Sequence, residues 1–303
     1  MKTRVIINPA AGGGRAGRQW SQHEAELRDA IGWFEPVFST SEQNATALAA
    51  EAAKDCGRVI AVGGDGTVNE VVNGLAAVAT SPEFGVIGVG TGNDFARALG
   101  IGSGWSHGID ALRDGKPRSI DLGLIRFTRP DGKRGQHWFA NAADLGLIGE
   151  VVADAEKSRL KRWLGSKLAY PLHAVVVLSR YKGHRIAIEQ DGGRREIDIL
   201  AVAVANGRSF GGGMKIAPHA EFDDGLLDVI VVAKKPKVRA SDLRLLYAGT
   251  HLNHPAVSHF RTAKVRFETV DGSTMLCDAD GELLGTAPCE IEVVRDKLRV
   301  IAP

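Results

Sequence analysis

The chain has 303 residues, of which 44% are hydrophobic and 24% are charged, a balance typical of a globular protein that can bury a core. Its 38 Lys and Arg residues nearly balance 36 Asp and Glu residues, which argues against a dedicated nucleic-acid-binding protein. Three cysteines without CxxC spacing predict reduced thiols rather than a disulfide framework or a zinc site. No window approaches the roughly 18 apolar residues of a membrane span, so a cytoplasmic protein of two domains is expected.

Apolar runs alternate with helical patterns from the N-terminus to about residue 110. Strands are predicted at 3–7, 36–38, 59–62 and 85–89, with helices at 16–31, 43–55 and after each later strand. This alternation predicts an α/β domain with a mostly parallel sheet. Ligands bind beyond the carboxyl ends of the strands in such sheets. Four polar turns are therefore expected at one edge, namely 8–14, 39–41, 63–67 and 90–94.

The turn Gly63–Gly66 joins a buried strand to an amphipathic helix. Thr67 and Glu70 have the spacing of a capping box at the start of that helix. Backbone N–H groups at a helix N-terminus favour an anion such as phosphate. Asp65 would repel a phosphate unless a cation lies between them, which suggests a metal–nucleotide complex. The alternative is an ordinary tight turn without a ligand.

A second glycine pattern, GxGxxG at 12–17, raises the possibility of a dinucleotide-binding dehydrogenase. The next predicted strand ends in Ser39–Ser41, where an NAD site needs an acidic residue for the ribose. Arg18 and Gln19 occupy the positions at which a Walker loop needs Lys and Ser or Thr. The pattern therefore indicates a polar glycine-rich turn at the strand ends, with Asn8 able to donate or accept hydrogen bonds there.

After Asp121 the pattern changes to closely spaced strands separated by turns, which predicts an antiparallel sandwich or barrel. Helical patterns interrupt the strands at about 149–180 and 240–252. We place the domains at 1–125 and 126–295, with residues 296–303 returning to the first domain as a last strand. Strands in the second half are expected at 120–127, 137–143, 185–190, 196–205, 226–233, 264–269, 275–278, 289–294 and 298–301.

Two acidic turns in the second half can carry chemistry. Asp223, Asp224 and Asp228 surround a glycine turn and could hold a hard divalent cation, although a solvated acidic turn is equally expected. Asp280 or Glu282 could act as a base for a hydroxyl proton, whereas Asp-Gly is also the usual tight hairpin turn. The basic segment around Trp163 favours a solvated helix face over contact with anionic lipid.

Taken together, these stretches resemble the diacylglycerol kinase catalytic-domain family, in particular its soluble bacterial lipid kinases. The resemblance covers nearly the whole chain, and several motifs in the family's order are more specific than any one turn. It implies an α/β nucleotide-binding domain like that of NAD kinase and phosphofructokinase, followed by a C-terminal antiparallel β-sandwich domain. The motifs are NPAAGGG at 8–14, GGDGTVNE at 63–70, GTGNDFAR at 90–97, NGRSFGGGMKIAP at 206–218, DDGLLD at 223–228 and DGE at 280–282.

The resemblance also implies roles for individual residues. Glu282 would be the base that deprotonates the lipid hydroxyl, and Asp65 would act through the catalytic metal. In bacterial members the Asp-Asp-Gly segment carries a structural magnesium, for which Glu221, Asp224 and the Leu226 carbonyl are the matching ligands. The turns would bind ATP through Asn8, Thr40, Gly63, Gly64, Asp65, Gly66, Thr67, Asn69, Thr91, Asn93 and Asp94.

The implied reaction is transfer of the γ-phosphoryl group of ATP to a hydroxyl of a lipid such as diacylglycerol, with Mg²⁺ as cofactor. The lipid would be met at the membrane surface through peripheral contact by a cytoplasmic enzyme, and no nucleic acid is expected as a partner. The oligomeric state stays open, with a homodimer as the form common among bacterial members. Two alternatives also stay open: a kinase for a soluble acceptor, as NAD kinase is, and a nucleotide-binding regulator without turnover.

Overall fold

The structure is a computed structural model that describes residues 1–157, 176–235 and 238–303. The chain forms two compact units. The first consists of Met1–Leu122 together with Arg295–Pro303, and the second of Gly123–Val294. The C-terminal nine residues therefore belong to the same unit as the N-terminus.

The first unit alternates strands and helices as predicted. Its sheet is parallel, with β1 (Thr3–Ile7) paired to β2 (Glu35–Phe38) and β3 (Arg58–Gly63), and β3 paired to β4 (Glu83–Gly88). Arg299 and Val300, near the end of the chain's last strand, pair in parallel with the other side of β4. The elements are β1 (Thr3–Ile7), α1 (Ala11–Ile31), β2 (Glu35–Phe38), α2 (Ala45–Asp55), β3 (Arg58–Gly63), α3 (Asp65–Ala76), β4 (Glu83–Gly88), α4 (Asp94–Ala98) and α5 (Trp105–Asp114).

The core of the first unit lies on the inner strands. All five residues of β1 are buried, and so are five of the six residues in β3 and in β4. Both faces of an inner parallel strand are covered by helices, which is why these segments read as continuous apolar runs. Trp20 and Leu27 of α1 and Ile109 of α5 pack on one face of this sheet. The apolar faces of these helices thus pack on the sheet and hold in place the edge from which the glycine turns leave.

The second unit is antiparallel, and the mixed α/β and β-sandwich fold class is confirmed. The strand pairs of known register inside it run antiparallel, for example β8 (His184–Gln190) with β9 (Gly193–Ala205) and β13 (Leu276–Ala279) with β14 (Glu282–Ala302). Its elements begin with β5 (Lys116–Thr128), β6 (Arg134–Phe139), β7 (Ala142–Gly146), α6 (Leu147–Lys157), β8 (His184–Gln190), β9 (Gly193–Ala205) and β10 (Leu227–Ala233). They continue with α7 (Leu243–Ala248), β11 (Val257–Thr262), β12 (Lys264–Thr269), β13 (Leu276–Ala279) and β14 (Glu282–Ala302).

Several predicted boundaries in the second half were wrong. The strand expected at 137–143 is two strands, β6 and β7, because the chain turns at Ala140 and Asn141. The two strands expected at 289–294 and 298–301 are parts of the single strand β14. Strand β11 was missed, since its sequence, VSHFRT, lacks a continuous apolar run. The helical run expected at 149–180 is described only as α6 and residues 176–180, and Trp163 lies outside the described residues.

Candidate active site

The carboxyl edge of the parallel sheet gathers the glycine turns of the first unit. Strands β1, β3 and β4 are neighbours and parallel, so the turns that follow them leave from one edge. We call the turn at 8–14 the first turn, the turn at 63–67 the second and the turn at 90–94 the third. The Asn8 side chain joins the first two turns, because its Nδ2 donates to Thr67 Oγ1 at 3.0 Å. Its Oδ1 accepts the N–H of Ala10 at 3.0 Å, which fixes the amide orientation. Asn8 and Thr67 thus lie together as the sequence predicted.

The second and third turns touch backbone to backbone. A Cβ atom at Gly90 would lie 2.5 Å from the Cα of Gly64, which is closer than any real side chain approaches. Similarly, a Cβ at Gly12 would lie 2.4 Å from the carbonyl oxygen of Val89. Glycine is required at these positions because the three turns pack without room for side chains. The result is a compact surface of main-chain atoms at the sheet edge.

The first turn contains a run of left-handed residues. Gly12, Gly13 and Gly14 have φ angles of 61°, 69° and 84°. Residues other than glycine rarely take this conformation, and three in succession is a glycine-specific shape. A Cβ on Gly13 would meet nothing within 4 Å, so this part of the turn faces open space. Main-chain groups are therefore exposed where a ligand can approach closely.

Asp65 holds the third turn in place. Its carboxylate accepts hydrogen bonds from the N–H groups of Asn93 at 2.6 Å and Phe95 at 3.4 Å. Burial raises the pKa of Asp65, and the backbone N–H donors act in the opposite direction. A Cβ at Gly92 would lie 2.5 Å from Asp65 Oδ2, so the loop can pass the carboxylate only as glycine. Asp65 therefore has a structural role in holding the third turn, besides the role with a metal ion that the sequence suggested.

Asn93 closes the third turn on itself. Its φ angle is 55°, a left-handed conformation that Asn tolerates better than most residues. Gly90 N donates to Asn93 Oδ1 at 2.9 Å, and Asn93 Nδ2 donates to the carbonyl of Gly90 at 3.1 Å. Asn93 and Asp94 are both buried. The amide of Asn93 thus shapes the turn rather than projecting from it.

Two arginines that sequence reasoning did not select lie at the first turn. Arg15 Nη2 donates to the Val89 carbonyl and Arg15 Nε to the Gly12 carbonyl, each at 3.2 Å. Arg18 Nη2 donates to the carbonyl of Gly13 at 3.1 Å. Both arginines follow the glycine run closely in the sequence, and this position is the signal that could have identified them as site residues. They place positive charge beside the glycine turns.

Other predicted nucleotide contacts have local roles in the structure. Thr40 Oγ1 accepts the N–H groups of Glu42 and Gln43, and so closes its own turn. Asn73 Nδ2 donates to Asn69 Oδ1 at 3.0 Å within α3. Thr91 is exposed on the third turn. Contact of Thr40, Asn69 and Thr91 with a nucleotide therefore stays a prediction.

The predicted capping box of Thr67 and Glu70 was wrong. Helix α3 begins at Asp65, three residues earlier than that motif requires, and its N-cap is Gly64 without a side-chain hydrogen bond. Glu70 Oε2 instead accepts the N–H of Ala45 at 2.9 Å at the start of α2. Glu70 therefore serves the start of α2 and not the first turn of α3.

In the second unit, Asp280 and Gly281 form the two-residue turn between β13 and β14. Their φ angles are 48° and 79°, and Ala279 pairs with Glu282 across the hairpin. The Asp280 carboxylate accepts the N–H groups of Ala140 at 2.8 Å, Asn141 at 3.0 Å and Ala142 at 3.0 Å. Such donors stabilise the charged carboxylate. Asp280 therefore fixes the turn, which leaves Glu282 as the candidate base of this segment.

Glu282 projects from the first position of β14 with 55% of its side chain exposed. His137 Nε2 of β6 lies 3.9 Å from Glu282 Oε2. Burial lowers the pKa of His137 to about 4, so its ring is neutral near pH 7. A neutral imidazole adds no positive charge beside the Glu282 carboxylate. Sequence reasoning missed His137, since no motif marks it.

Behind this turn, Asp144 of β7 lies directly opposite Asp278 of β13. Their residues are only 2% and 1% exposed. Burial and the nearby carboxylates of Asp278 and Asp280 raise the pKa of Asp144 well above its ordinary value. Two buried carboxyl groups at facing positions favour the uncharged form of Asp144.

The acidic turn before β10 was expected to bind a divalent cation. Asp224 Oδ1 accepts the N–H of Leu226 at 2.9 Å, and Asp224 Oδ2 pairs with the guanidinium of Arg261. Glu221 is exposed. Among the residues that the structure describes, no group of three or more His, Cys, Asp or Glu side chains is placed to hold a metal ion. Magnesium binding by Glu221, Asp224 and Leu226 therefore stays a prediction.

Comparisons with known proteins give one family match in each half of the chain. Residues 2–125 match the model of the diacylglycerol kinase catalytic domain, and residues 146–302 match that of the YegS C-terminal NAD kinase beta sandwich-like domain. The diacylglycerol kinase of Bacillus subtilis (strain 168) is 33% identical, over 100% of this chain and 96% of that protein. The diacylglycerol kinase of Staphylococcus carnosus (strain TM300) is 28% identical, over 100% of this chain and 95% of that protein.

A solved structure shows the same fold. The crystal structure of a diacylglycerol kinase from Bacillus anthracis str. Sterne superposes with a TM-score of 0.75 at 24% identity, over 100% of this chain and 97% of that one. The curated relatives align over almost their whole length, and the two family models cover both units. This chain therefore belongs to the diacylglycerol kinase family.

Proposed function

We propose that this protein transfers the γ-phosphoryl group of ATP to a hydroxyl of a lipid, with diacylglycerol as the first candidate. The observation that carries the proposal is the backbone contact of three glycine turns at the carboxyl edge of a parallel sheet. That edge is where open α/β sheets bind ligands. The names of the full-length relatives supply the lipid acceptor.

The glycine turns suit a polyphosphate. The first-turn N–H groups of α3 point from a helix N-terminus, where an anion is favoured. Arg15 and Arg18 add two positive charges beside the first turn. Thr67, fixed by Asn8, has a hydroxyl that can donate to a phosphate oxygen. Gly63, Gly64 and Gly66 allow the backbone to come close, and Thr40, Asn69, Thr91 and Asp94 are further proposed nucleotide contacts.

Magnesium fits the same edge. The Asp65 carboxylate offers hard oxygen atoms of the kind Mg²⁺ prefers, and a carboxylate that accepts two N–H bonds still has further lone pairs. When bound with ATP, Mg²⁺ neutralises charge on the phosphates. Asp65 would hold it directly or through a water. The N–H groups of Asn93 and Phe95 keep this carboxylate oriented.

Glu282 is the proposed base. Its exposed carboxylate can orient the acceptor hydroxyl and take its proton as the oxygen attacks the γ-phosphorus. The hairpin turn and the three N–H bonds of Asp280 fix the start of β14. Phosphoryl transfer depends mainly on such positioning and on charge neutralisation. The product is the phosphorylated lipid and ADP.

The acceptor implies contact with a membrane surface. No helix among the described residues is long and apolar enough to cross a bilayer. We propose that the protein meets its lipid by peripheral contact in the cytoplasm, without a nucleic-acid partner. A homodimer is a further proposal, which analytical ultracentrifugation would test.

The experiment is incubation with ATP, Mg²⁺ and a mixed lipid extract in detergent micelles, read by mass spectrometry for lipids heavier by one phosphate. Glu282→Gln should lower kcat by about 100-fold or more. Glu196→Gln is the matched control, because Glu196 is also partly exposed on a strand and pairs at the surface with Arg185 and Arg194. A phosphorylated lipid in wild type and Glu196→Gln, but not in Glu282→Gln, supports the proposal.

Other results would change the assignment. ATP binding without a lipid product would favour a soluble acceptor or a regulator without turnover. Normal lipid phosphorylation by Glu282→Gln would remove this residue from the mechanism.

A further inference from the structure

The strands β10 and β11 place one acidic and two basic side chains on a common face. Asp228 of β10 lies opposite Arg261 of β11, and Ile230 lies opposite His259. Residues two apart on a strand point to the same side, so His259 and Arg261 flank Asp228. His259 Nε2 lies 2.6 Å from Asp228 Oδ1. This grouping is set by strand register and not by a flexible loop.

Arg261 joins that strand pair to the acidic turn. Its Nη2 pairs with Asp224 Oδ2, and its Nε lies 3.6 Å from Asp228 Oδ2. The side chains of Asp224 and Asp228 are 19% and 3% exposed. Two shielded carboxylates this close to one guanidinium would repel each other without it. The positive charge of Arg261 thus holds the turn against β10.

A divalent cation does not fit beside this guanidinium. Magnesium would sit at about 2.1 Å from an Asp224 oxygen. One oxygen of this carboxylate accepts the Leu226 N–H at 2.9 Å, and the other is paired with Arg261. A second cation at the same carboxylate would face direct repulsion from Arg261. The residues at this turn therefore favour the guanidinium of Arg261 as the cation beside Asp224, instead of the magnesium ion that the family resemblance implies.

We propose that Arg261 takes the place of a divalent metal at the Asp224 turn, so that this part of the second unit is organised without Mg²⁺. The inference does not depend on the proposed kinase activity. It can be tested on protein without ATP or lipid, so its failure would leave the lipid kinase assignment intact.

The experiment measures thermal unfolding of the full chain without nucleotide, in EDTA and in millimolar Mg²⁺. Wild type should unfold at the same temperature in both. Arg261→Met keeps the apolar stem but removes the charge, and we expect it to lower Tm in EDTA by about 2–4 °C. Added Mg²⁺ should restore part of that loss, because the freed carboxylate can then bind the ion. Arg261→Lys should stay close to wild type.

Arg185→Met is the matched control, since Arg185 is also a strand arginine with one surface ion pair, to Glu196 at 3.3 Å. Its Tm should change less than that of Arg261→Met and should not respond to Mg²⁺. Titration with Mn²⁺, read by electron paramagnetic resonance, counts bound ions in each protein. Arg261→Met should bind one more ion than wild type, and adding Asp224→Asn should remove it.

Three results would overturn the proposal. The first is a wild-type Tm that rises with Mg²⁺ and no longer does so in Asp224→Asn. The second is an Arg261→Met protein as stable in EDTA as wild type. The third is a destabilised Arg261→Met that Mg²⁺ does not restore, which would make the pair an ordinary ion pair. If Arg261→Met does not fold, the number of bound Mn²⁺ ions is compared between wild type and Asp224→Asn instead. A Mn²⁺ ion that wild type binds and Asp224→Asn does not bind would contradict the proposal.

Discussion

Asp65 accepts the backbone N–H of Asn93 at 2.6 Å, so the carboxylate proposed to work with the metal also holds the third glycine turn. The two duties can be separated by substitution. An asparagine at position 65 keeps an oxygen that accepts this N–H, whereas an alanine leaves the N–H without its acceptor. Loss of charge and loss of the hydrogen bond then have different consequences.

We expect Asp65→Asn and Asp65→Ala both to lose lipid phosphorylation by about 100-fold or more, because the metal loses its charged ligand. Only Asp65→Ala should also lower the free energy of unfolding, by about 1–3 kcal/mol, since buried donors are left unsatisfied. Urea unfolding with activity assays separates these effects, and the exposed Asp110→Asn serves as a control. Equal stability of Asp65→Ala and wild type would contradict the structural duty.

Gly90→Ala should weaken ATP binding and destabilise the protein. The new Cβ would lie 2.5 Å from the Cα of Gly64, and two backbones cannot move apart without reshaping both turns. Overpacking of this kind costs about 1–3 kcal/mol. Gly193→Ala is the control, because a Cβ there meets only Gln190 O at an ordinary 3.5 Å. Calorimetric ATP titration measures affinity, and unchanged affinity in Gly90→Ala would show that the turns are not packed as described.

His137 should make stability fall in acid. Burial lowers its pKa in the folded state to about 4, below the ordinary value of 6.5. Between these two values the unfolded chain binds more protons, so stability is complete above about pH 6.5 and decreases as pH falls toward 4. His137→Gln should lack this part of the decrease, whereas the exposed His107→Gln should keep it. Denaturant unfolding from pH 4 to 8 measures the free energy of unfolding of each protein. Parallel plots of this free energy against pH for wild type and His137→Gln would refute the prediction.

Asp144 should make stability fall as pH rises, which is opposite to the effect of His137. Its pKa in the folded state is raised by burial and by Asp278 and Asp280, so the folded chain keeps a proton that the unfolded chain releases above about pH 4. Stability is therefore complete below the ordinary pKa and is lost as pH rises through the raised one, by at most about 1.4 kcal/mol per pH unit. Asp144→Asn should gain stability over wild type as pH rises. A constant difference from pH 4 to 9 would contradict this.

Residues with a regular local pattern could be predicted from the sequence. The parallel sheet follows from apolar runs such as Val59–Val62, and the turn at Asp280 and Gly281 follows from the Asp-Gly pair. The expectation that Asn8 and Thr67 lie at one sheet edge came from strand order alone, and the structure places them in hydrogen-bonding contact.

Features that depend on distant partners could not be predicted. The Asp144–Asp278 pair joins residues 134 positions apart through strand register. Arg261 pairs with Asp224 because β11 lies beside β10, and β11 itself carries no continuous apolar run. Glu70 matched a capping box, yet it caps a different helix through Ala45. In each case the deciding partner is fixed by tertiary structure, which local spacing does not encode.

The return of Arg295–Pro303 to the first unit has a consequence for synthesis of the chain. Strand β4 ends at Gly88, and the residues that cover its open side, Arg299 and Val300, are made only after about 200 further residues. At about 5–20 residues per second, the ribosome needs on the order of tens of seconds to reach them. During that time β4 presents an unpaired edge that can attract other chains. Nascent molecules should therefore depend on chaperones until Arg299 and Val300 have been made, and removal of residues 299–302 should lower the yield of folded protein more than their small number suggests.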